Sequence, residues 1–263
     1  MKIHFITFAE GSQIYKLAGQ RLLKQAIETN WFSTSTLWDF DMIKDYDSDW
    51  FLQHQEFLVK SPRGSGYWLW KSKIIDLTLS LVNTNDIVFY LDAGCELNLL
   101  GFNRFNNYID IANKSQFLAF YLNGTNYDIR RWTKNILLSK FNISSDSPIL
   151  NEPQIEAGCL FIKANDITKY FIRNWQSVST EKNYIFSNDI IGEDEDTNFI
   201  EHRHDQSILT LLLYKSLDFG TTIRNENYFP SLWHNNIHPT YMPIAAMRNL
   251  SSVDKINFFF NKI

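Results

Sequence analysis

The sequence predicts a single α/β domain built on a buried sheet. Three observations carry this. The first is the run Ile87–Leu91, closed by Asp92-Ala93-Gly94, with Glu96 two residues on. A buried strand that breaks into a carboxylate on a glycine turn is how many α/β enzymes hold an acid at the carboxyl edge of a sheet. Asp and Gly are also ordinary turn residues, so the stretch alone leaves both readings open. The second is the opening strand–turn–helix, Lys2–Ala9 followed by Ser12 to about Thr29. The third is the size: 263 residues with 44% hydrophobic content suit one large domain and a sizeable core.

The elements follow from periodicity. Ile3, Phe5, Ile6 and Phe8 make the first strand. Ile14, Leu17, Ala18, Leu22, Leu23, Ala26 and Ile27 recur at helical spacing behind it. No G-x-G-x-x-G follows the strand, so the dinucleotide fingerprint is missing. Ser35–Phe40 reads as a second strand ending at Asp39 and Asp41, and Tyr46–Lys60 as a helix. Ser61–Lys71 is a loop with one proline and two glycines, leading an aromatic cluster into a helix that runs to about Val82.

After Glu96, Arg104–Asn113 reads as a helix and Gln116–Tyr121 as a strand. Arg130–Phe141 reads as one amphipathic helix with Trp132, Ile136, Leu137 and Phe141 on its apolar side. Ile143–Pro153 is a loop. Glu156-Ala-Gly-Cys then leads into the strand Leu160–Ile162, and a helix spans Asp166 to about Val178. The segment Glu181–Glu201 has little pattern, and its Glu193–Asp196 acid run is expected to be solvated. Glu201-His-Arg-His-Asp-Gln opens the helix Ser207–Leu217, and the tail from Asn225 is aromatic and loop-like. The acid-Ala-Gly-Cys pattern occurs at 92–95 and 156–159, and is expected as convergent turn chemistry.

Composition excludes several classes. Net charge is −4, so nucleic acid is not expected as a partner. No run of about 18 apolar residues predicts a membrane span. The N-terminal stretch is too short and polar for a signal peptide. The two cysteines, Cys95 and Cys159, have no zinc spacing and suit reduced cytosolic thiols. If the strands that carry them are neighbours, the two lie near each other beside the site.

The loop Ser61–Lys71, with Arg63, Lys71 and Lys73, puts positive charge on a glycine-relieved backbone that can hold phosphates. Trp68 and Trp70 also have an ordinary use as core anchors. Asp205 is either a helix cap or a working acid, and Glu156 either a paired edge acid or its competitor.

Four motifs in order carry a resemblance: R-G-S-G-Y-W-L-W-K (63–71), Y-L-D-A-G-C-E (90–96), E-A-G-C-L-F (156–161) and H-R-H-D-Q-S-I-L (202–209). Together they resemble GT-A type bacterial sugar-nucleotide glycosyltransferases, in the capsule- and O-antigen-associated branch with a G-Y-W-x-W-K loop. The resemblance covers about residues 1–215. It implies a Rossmann-like GT-A fold with a mixed central sheet, one catalytic domain over 1–263. Residues 1–110 would form mainly the donor half, and 111–263 the acceptor half and tail.

It further implies sugar transfer from a nucleotide-sugar donor to a glycan or lipid-linked glycan. Asp205 and Glu156 would be catalytic. Thr7, Phe8, Arg63, Trp70, Lys71, Lys73, Asp92, Ala93 and Gly94 would bind donor, and Gly158, His204 and Gln206 acceptor. A divalent Mn²⁺ or Mg²⁺ would sit on Asp92, with Glu96 and His234 as further ligands. Gly94 departs from the family's D-x-D pattern, which leaves that metal with one clear acid. The expected place is the cytoplasm, including peripheral association with the inner membrane face. The competing classes are a non-catalytic nucleotide- or glycan-binding protein on the same scaffold, and a nucleotidyltransferase.

Overall fold

A computed structural model of the chain describes residues 1–122, 126–216, 222–224, 242–246, 250 and 252. Among them, six strands form one mixed sheet, ordered β2-β1-β3-β6-β5-β7, and two short strands, β4 and β8, pair separately. The chain runs β1 (Ile3–Phe8), α1 (Gln13–Thr29), β2 (Thr34–Trp38), α2 (Phe40–Tyr46), α3 (Ser48–Lys60), α4 (Gly64–Tyr67), α5 (Trp70–Leu81) and β3 (Ile87–Leu91). It continues β4 (Glu96–Leu97), α6 (Phe102–Ser115), β5 (Phe117–Tyr121), α7 (Ile129–Trp132), α8 (Asn135–Lys140), β6 (Ile155–Lys163), α9 (Asp166–Tyr184), α10 (Asp205–Lys215), β7 (Thr222–Arg224) and β8 (Ile244–Ala245).

Strand alternation sorts the side chains into two cores. Val88, Tyr90, Leu160 and Ile162 face a layer containing α5, α9 and α10, whose Ile74, Ile75, Ile172 and Leu209 they meet. Ile87, Phe89, Leu91 and Phe161 face the other layer, against Leu22 and Ala26 of α1 and Phe105 and Ile109 of α6. The result is helix, sheet, helix.

β1 pairs in parallel with β2 and with β3, whereas β6 runs antiparallel to β3 and to β5. The carboxyl end of β3 therefore stands beside the amino end of β6. The facing of β6 reverses partway: Ile155 and Ala157 pack with the first core, yet so do Leu160 and Ile162. The pairing with β5 shifts register between Leu118 and Phe120. The irregularity is a bulge around Gly158, the kind that re-aims side chains beside a site.

Several expected elements differ, each for a local reason. Asp39 does not end a strand beside the sheet but caps α2, accepting from the Met42 amide at 2.8 Å. Asp47 does the same for α3, so the predicted helix 46–60 is one helix that starts at Ser48, preceded by a separate short helix, α2. The predicted helix 130–141 divides, at Thr133 and Lys134. The buried Lys134 ammonium donates to the Asn188 carbonyl at 2.7 Å, which requires the chain to turn there. Trp132 then leaves the apolar side and Ile136 is exposed.

The acid run 193–196 is anchored rather than loose. Asp196 pairs with Arg130 at 2.6 Å, and Glu195 accepts from the Asn135 amide at 2.7 Å. Glu156-Ala-Gly-Cys lies inside a strand, whereas Asp92–Cys95 is a turn, so the repeated pattern is two different structures. The aromatic tail from Asn225, with Trp233, His234, His238, Tyr241 and Arg248, lies outside the described residues. Among the described residues, no helix is long and apolar enough to cross a membrane.

Gly19 sets how closely α1 approaches the sheet. A Cβ there would lie 2.5 Å from the Ala9 Cβ and 2.8 Å from Leu37 Cδ1. Gly19→Ala is expected to destabilise the fold by about 1–3 kcal/mol through overpacking. Urea unfolding measures it, and an unchanged midpoint would show that α1 can shift freely.

Candidate functional site

The four motifs meet at the edge where β3 ends and β6 begins. Their centre is the ammonium of Lys71, from the first turn of α5, whose side chain is only 3% exposed. Lys71 Nζ lies 2.8 Å from Asp205 Oδ2, at the start of α10, and 3.5 Å from Asp92 Oδ1, just past β3. The rings of Tyr90 and Trp70 stand 5.4 and 5.9 Å from the same ammonium. Asp92 lies two residues beyond Tyr90, on the same face of the strand, and the Tyr90 hydroxyl donates to Asp92 Oδ1.

Gly158 separates the remaining acids. Its amide donates to Glu156 Oε1 at 2.9 Å, and its carbonyl accepts from the Asp92 amide at 2.8 Å. A Cβ at 158 would lie 2.7 Å from both Asp92 Oδ2 and Glu156 Oε1. Only glycine lets the two carboxylates flank the bulge.

One cation facing three acids leaves excess negative charge in a partly dry site. Burial raises Glu156 to about 7, reinforced by Asp92. Burial also raises Asp205, to about 6, against the downward pull of Lys71. Burial opposes the charged form of Lys71, but Asp205 and Asp92 outweigh it and lift the ammonium above its ordinary range. Asp92 reaches solvent, its side chain being 39% exposed, and Glu156 is half-buried.

The other candidates are placed differently. Lys73 pairs with Asp47 and lies over the Trp50 ring, because residues two apart on a helix face different sides. Glu96 is buried in β4 with Arg21 3.9 Å away. Ala93 and Gly94 form the turn after β3, where the Ala93 carbonyl accepts from Arg21 at 2.9 Å. Phe8 stacks on Trp70 at 3.7 Å, both rings in the core, and Trp70 Nε1 donates to the Gly64 carbonyl at 2.9 Å. Thr7 is buried in β1, and its hydroxyl has no hydrogen-bond partner in the described structure.

Arg63 pairs with Glu201 and lies 3.9 Å from Asp189. His204 is buried beneath Tyr67 and Trp68, with its Nδ1 2.8 Å from the Ser187 carbonyl. Burial lowers it to about 4, so it is a neutral brace rather than an exposed substrate contact. Gln206 is half-buried in the first turn of α10. Asp205 is not the cap of that helix, since His204 holds the capping position.

Two contributors escaped the sequence reading: Tyr90 and Arg21. Tyr90 was findable from strand alternation with Asp92. Arg21 was findable as a cation inside the apolar stripe of α1, where it reaches the carbonyls of Ala93 and Cys95. Cys95 and Cys159 are free thiols in one apolar cluster; Cys159 lies on β6, whereas Cys95 follows the turn after β3 and is on no strand.

The donors fit a divalent cation poorly. Gly94 has no side chain, Glu96 faces Arg21, and the Lys71 ammonium already stands against Asp92. Among the described residues, no group of three or more His, Cys, Asp or Glu could hold a metal ion. His234 lies outside the described residues.

No family model and no curated protein matches the chain. Solved structures overlap it at low identity. One is a glycosyltransferase involved in glycosylation of the major capsid of PBCV-1, at 9% identity, covering 88% of this chain and 84% of that one, TM-score 0.48. Another is mouse xyloside xylosyltransferase 1 in its apo form, at 10% identity, covering 94% and 97%, TM-score 0.48. A third is mannose-6-phosphate isomerase from Helicobacter pylori, at 12% identity, covering 68% and 76%, TM-score 0.35. All three TM-scores are under 0.5, too low to assign a shared fold or activity.

Lys71→Met should cost about 3–5 kcal/mol at pH 8, because it leaves buried acids without their cation. The sign with pH follows from the acids. Asp205 and Glu156 hold protons more tightly folded than unfolded, so their ionisation costs stability as pH rises from about 4 through 7. The Lys71→Met penalty should therefore shrink at pH 5, where both acids are protonated. Denaturant unfolding at the two pH values checks this, and an equal loss at both would remove Lys71 as their counter-charge.

Proposed function

We propose that the chain is a glycosyltransferase of GT-A type, moving a sugar from a nucleotide-sugar donor to a hydroxyl of a glycan or lipid-linked glycan. The observation that carries the reading is the convergence of the four resembling motifs on the Lys71 ammonium. Lys71, Asp92, Glu156 with Gly158, and Asp205 each come from a different one.

In this reading Asp92 binds the donor, since its carboxylate is open to solvent. Asp205 accepts the proton from the acceptor hydroxyl. That oxygen forms a bond to the anomeric carbon as the bond from this carbon to the phosphate oxygen breaks. The nucleoside diphosphate leaves with the electron pair. An acid raised to about 6 is ionised at neutral pH and still basic enough to take the proton. Glu156, raised to about 7, carries a proton through part of the neutral range and then donates a hydrogen bond to substrate oxygen. Lys71 is a positioning residue: it holds Asp205 and Asp92 and offsets their charge.

No step is assigned to a metal, because the described donors do not fit one. In this reading residues 1–110, which carry Lys71 and Asp92, form mainly the donor half, and residues 111–263, which carry Glu156 and Asp205, form the acceptor half. Work at the cytoplasmic face of a membrane suits a lipid-linked acceptor.

Donor turnover, read as UDP, GDP or CMP released from a panel of UDP-, GDP- and CMP-sugars, should fall at least about 100-fold in Asp205→Asn. Asp92→Asn should lose donor binding by calorimetry. The turnover rate should rise with pH through about 6 as Asp205 ionises. Unchanged turnover in both variants would sink the assignment. Donor binding that never leads to turnover would favour the non-catalytic binding protein.

A further inference from the structure

We infer that Tyr127 and Trp132 form a sugar-stacking subsite for the acceptor, beside the acids and on their acceptor side. The inference rests on the transfer reading for its role, but not for its chemistry.

Three observations carry it. First, both rings are half-buried and, among the described residues, neither packs against either core cluster, although the indole is held firmly. Its Nε1 donates to the Asn126 carbonyl at 2.5 Å, the Arg203 guanidinium lies 4.0 Å from its centroid, and the Tyr127 ring is nearly parallel at 6.1 Å. An aromatic pair fixed in orientation yet outside the core is ordered for something other than burial. The polar handle of the indole is used by the Asn126 carbonyl and one ring face by Arg203, which leaves the opposite face for an occupant.

Second, the backbones of both residues are tied to the elements that carry the acids. The Trp132 carbonyl accepts from Ser207 Oγ at 2.6 Å and from the Arg203 amide at 3.1 Å, each two residues from Asp205. The Tyr127 carbonyl accepts from the Gln154 amide at 2.7 Å, two residues before Glu156. A shift of the aromatic pair would move the acids with it.

Third, the pair adjoins the start of β6 and of α10, not the carboxyl ends of β1 and β2. That puts it on the flank of Glu156 and Asp205 rather than on the outer, parallel half of the sheet. A pyranose presents an axial C–H face that stacks on an aromatic ring, with its hydroxyls free at the rim. The occupant is therefore a hexopyranoside unit of the acceptor, not the nucleoside of the donor.

Saturation-transfer NMR on the full chain tests this, using p-nitrophenyl α- and β-glucosides, galactosides and mannosides, with UMP, GMP and CMP as a separate arm. At least one pyranoside should bind the wild type and lose about tenfold or more in affinity in Trp132→Ala. Trp132→Phe should retain binding, which separates a lost ring from a lost fold. Asp92→Asn should keep the pyranoside while losing donor. Equal pyranoside binding in wild type and Trp132→Ala, or none in the wild type, overturns the subsite. Loss of nucleotide instead of pyranoside in Trp132→Ala overturns it too. Pyranoside binding at Trp132 in a chain that turns over no donor would leave the subsite standing and remove the transfer reading.

Discussion

A buried ammonium between acids is the constraint on which the rest of this structure depends. Lys71 is nearly inaccessible, and its charge is tolerated only because Asp205 and Asp92 stand at 2.8 and 3.5 Å. Holding it there fixes where α5 begins, and the chain leading into α5 is bent accordingly. Ser65, Tyr67 and Trp68 all take positive φ without being glycine. Such backbone persists only where its surroundings over-determine it. Here they do: Trp70 Nε1 donates to the Gly64 carbonyl, Phe8 stacks on Trp70, and His204 packs against Tyr67 and Trp68. His204, also at positive φ, immediately precedes Asp205. The strained loop and the strained cap thus brace each other on either side of the ion pair.

The sheet contributes the other half of the arrangement. In an all-parallel sheet, the strand next to β3 would begin at the opposite edge. Because β6 runs antiparallel, its first residues lie beside the end of β3 and can add acids to the same edge. Strict alternation would keep Glu156 on the face of Leu160 and Ile162. The bulge around Gly158 changes that facing, and the absence of a side chain there gives both carboxylates room. A polar cluster of this kind concentrates its cost in one place: any member removed leaves the others buried and unbalanced.

The central strand and its acid were legible in the sequence because they depend on local pattern. Ile87–Leu91 is apolar on both faces and ends in a turn, and the structure has that strand with those bounds. The helices around it were legible where one periodic stripe meets one sheet face, as in α1. They were illegible where tertiary contacts interrupt the pattern. Asp39 read as a strand-end acid and Asp47 fell inside a predicted helix, but both cap helices, since a cap is a matter of backbone geometry as much as residue type. The break at Thr133 and Lys134 depends on the Asn188 carbonyl, 54 residues away. Within the candidate site, residue types were legible and facing was not. Lys71 and Lys73 read alike, yet two positions on a helix put one among the acids and the other against Asp47. Glu96 read as a second ligand acid, but the turn after Asp92 sends it toward Arg21.

The asymmetry between the two raised acids follows from the same ammonium. Glu156 and Asp205 are both lifted by burial and both repelled by Asp92. Only Asp205 has the Lys71 nitrogen within hydrogen-bond distance, and this holds it nearer the carboxylate range, at about 6 against about 7. The ammonium at 2.8 Å thus favours the ionised form of Asp205 more than that of Glu156. The cluster offers two acids of unequal ionisation at the same sheet edge, without needing two different kinds of residue. Exchanging the roles would require moving the ammonium from α10 toward β6. The bend at Ser65–Trp68 and the stack on His204 prevent that. The division of labour between the acids is thus fixed by the loop that positions α5, well before either acid in the chain.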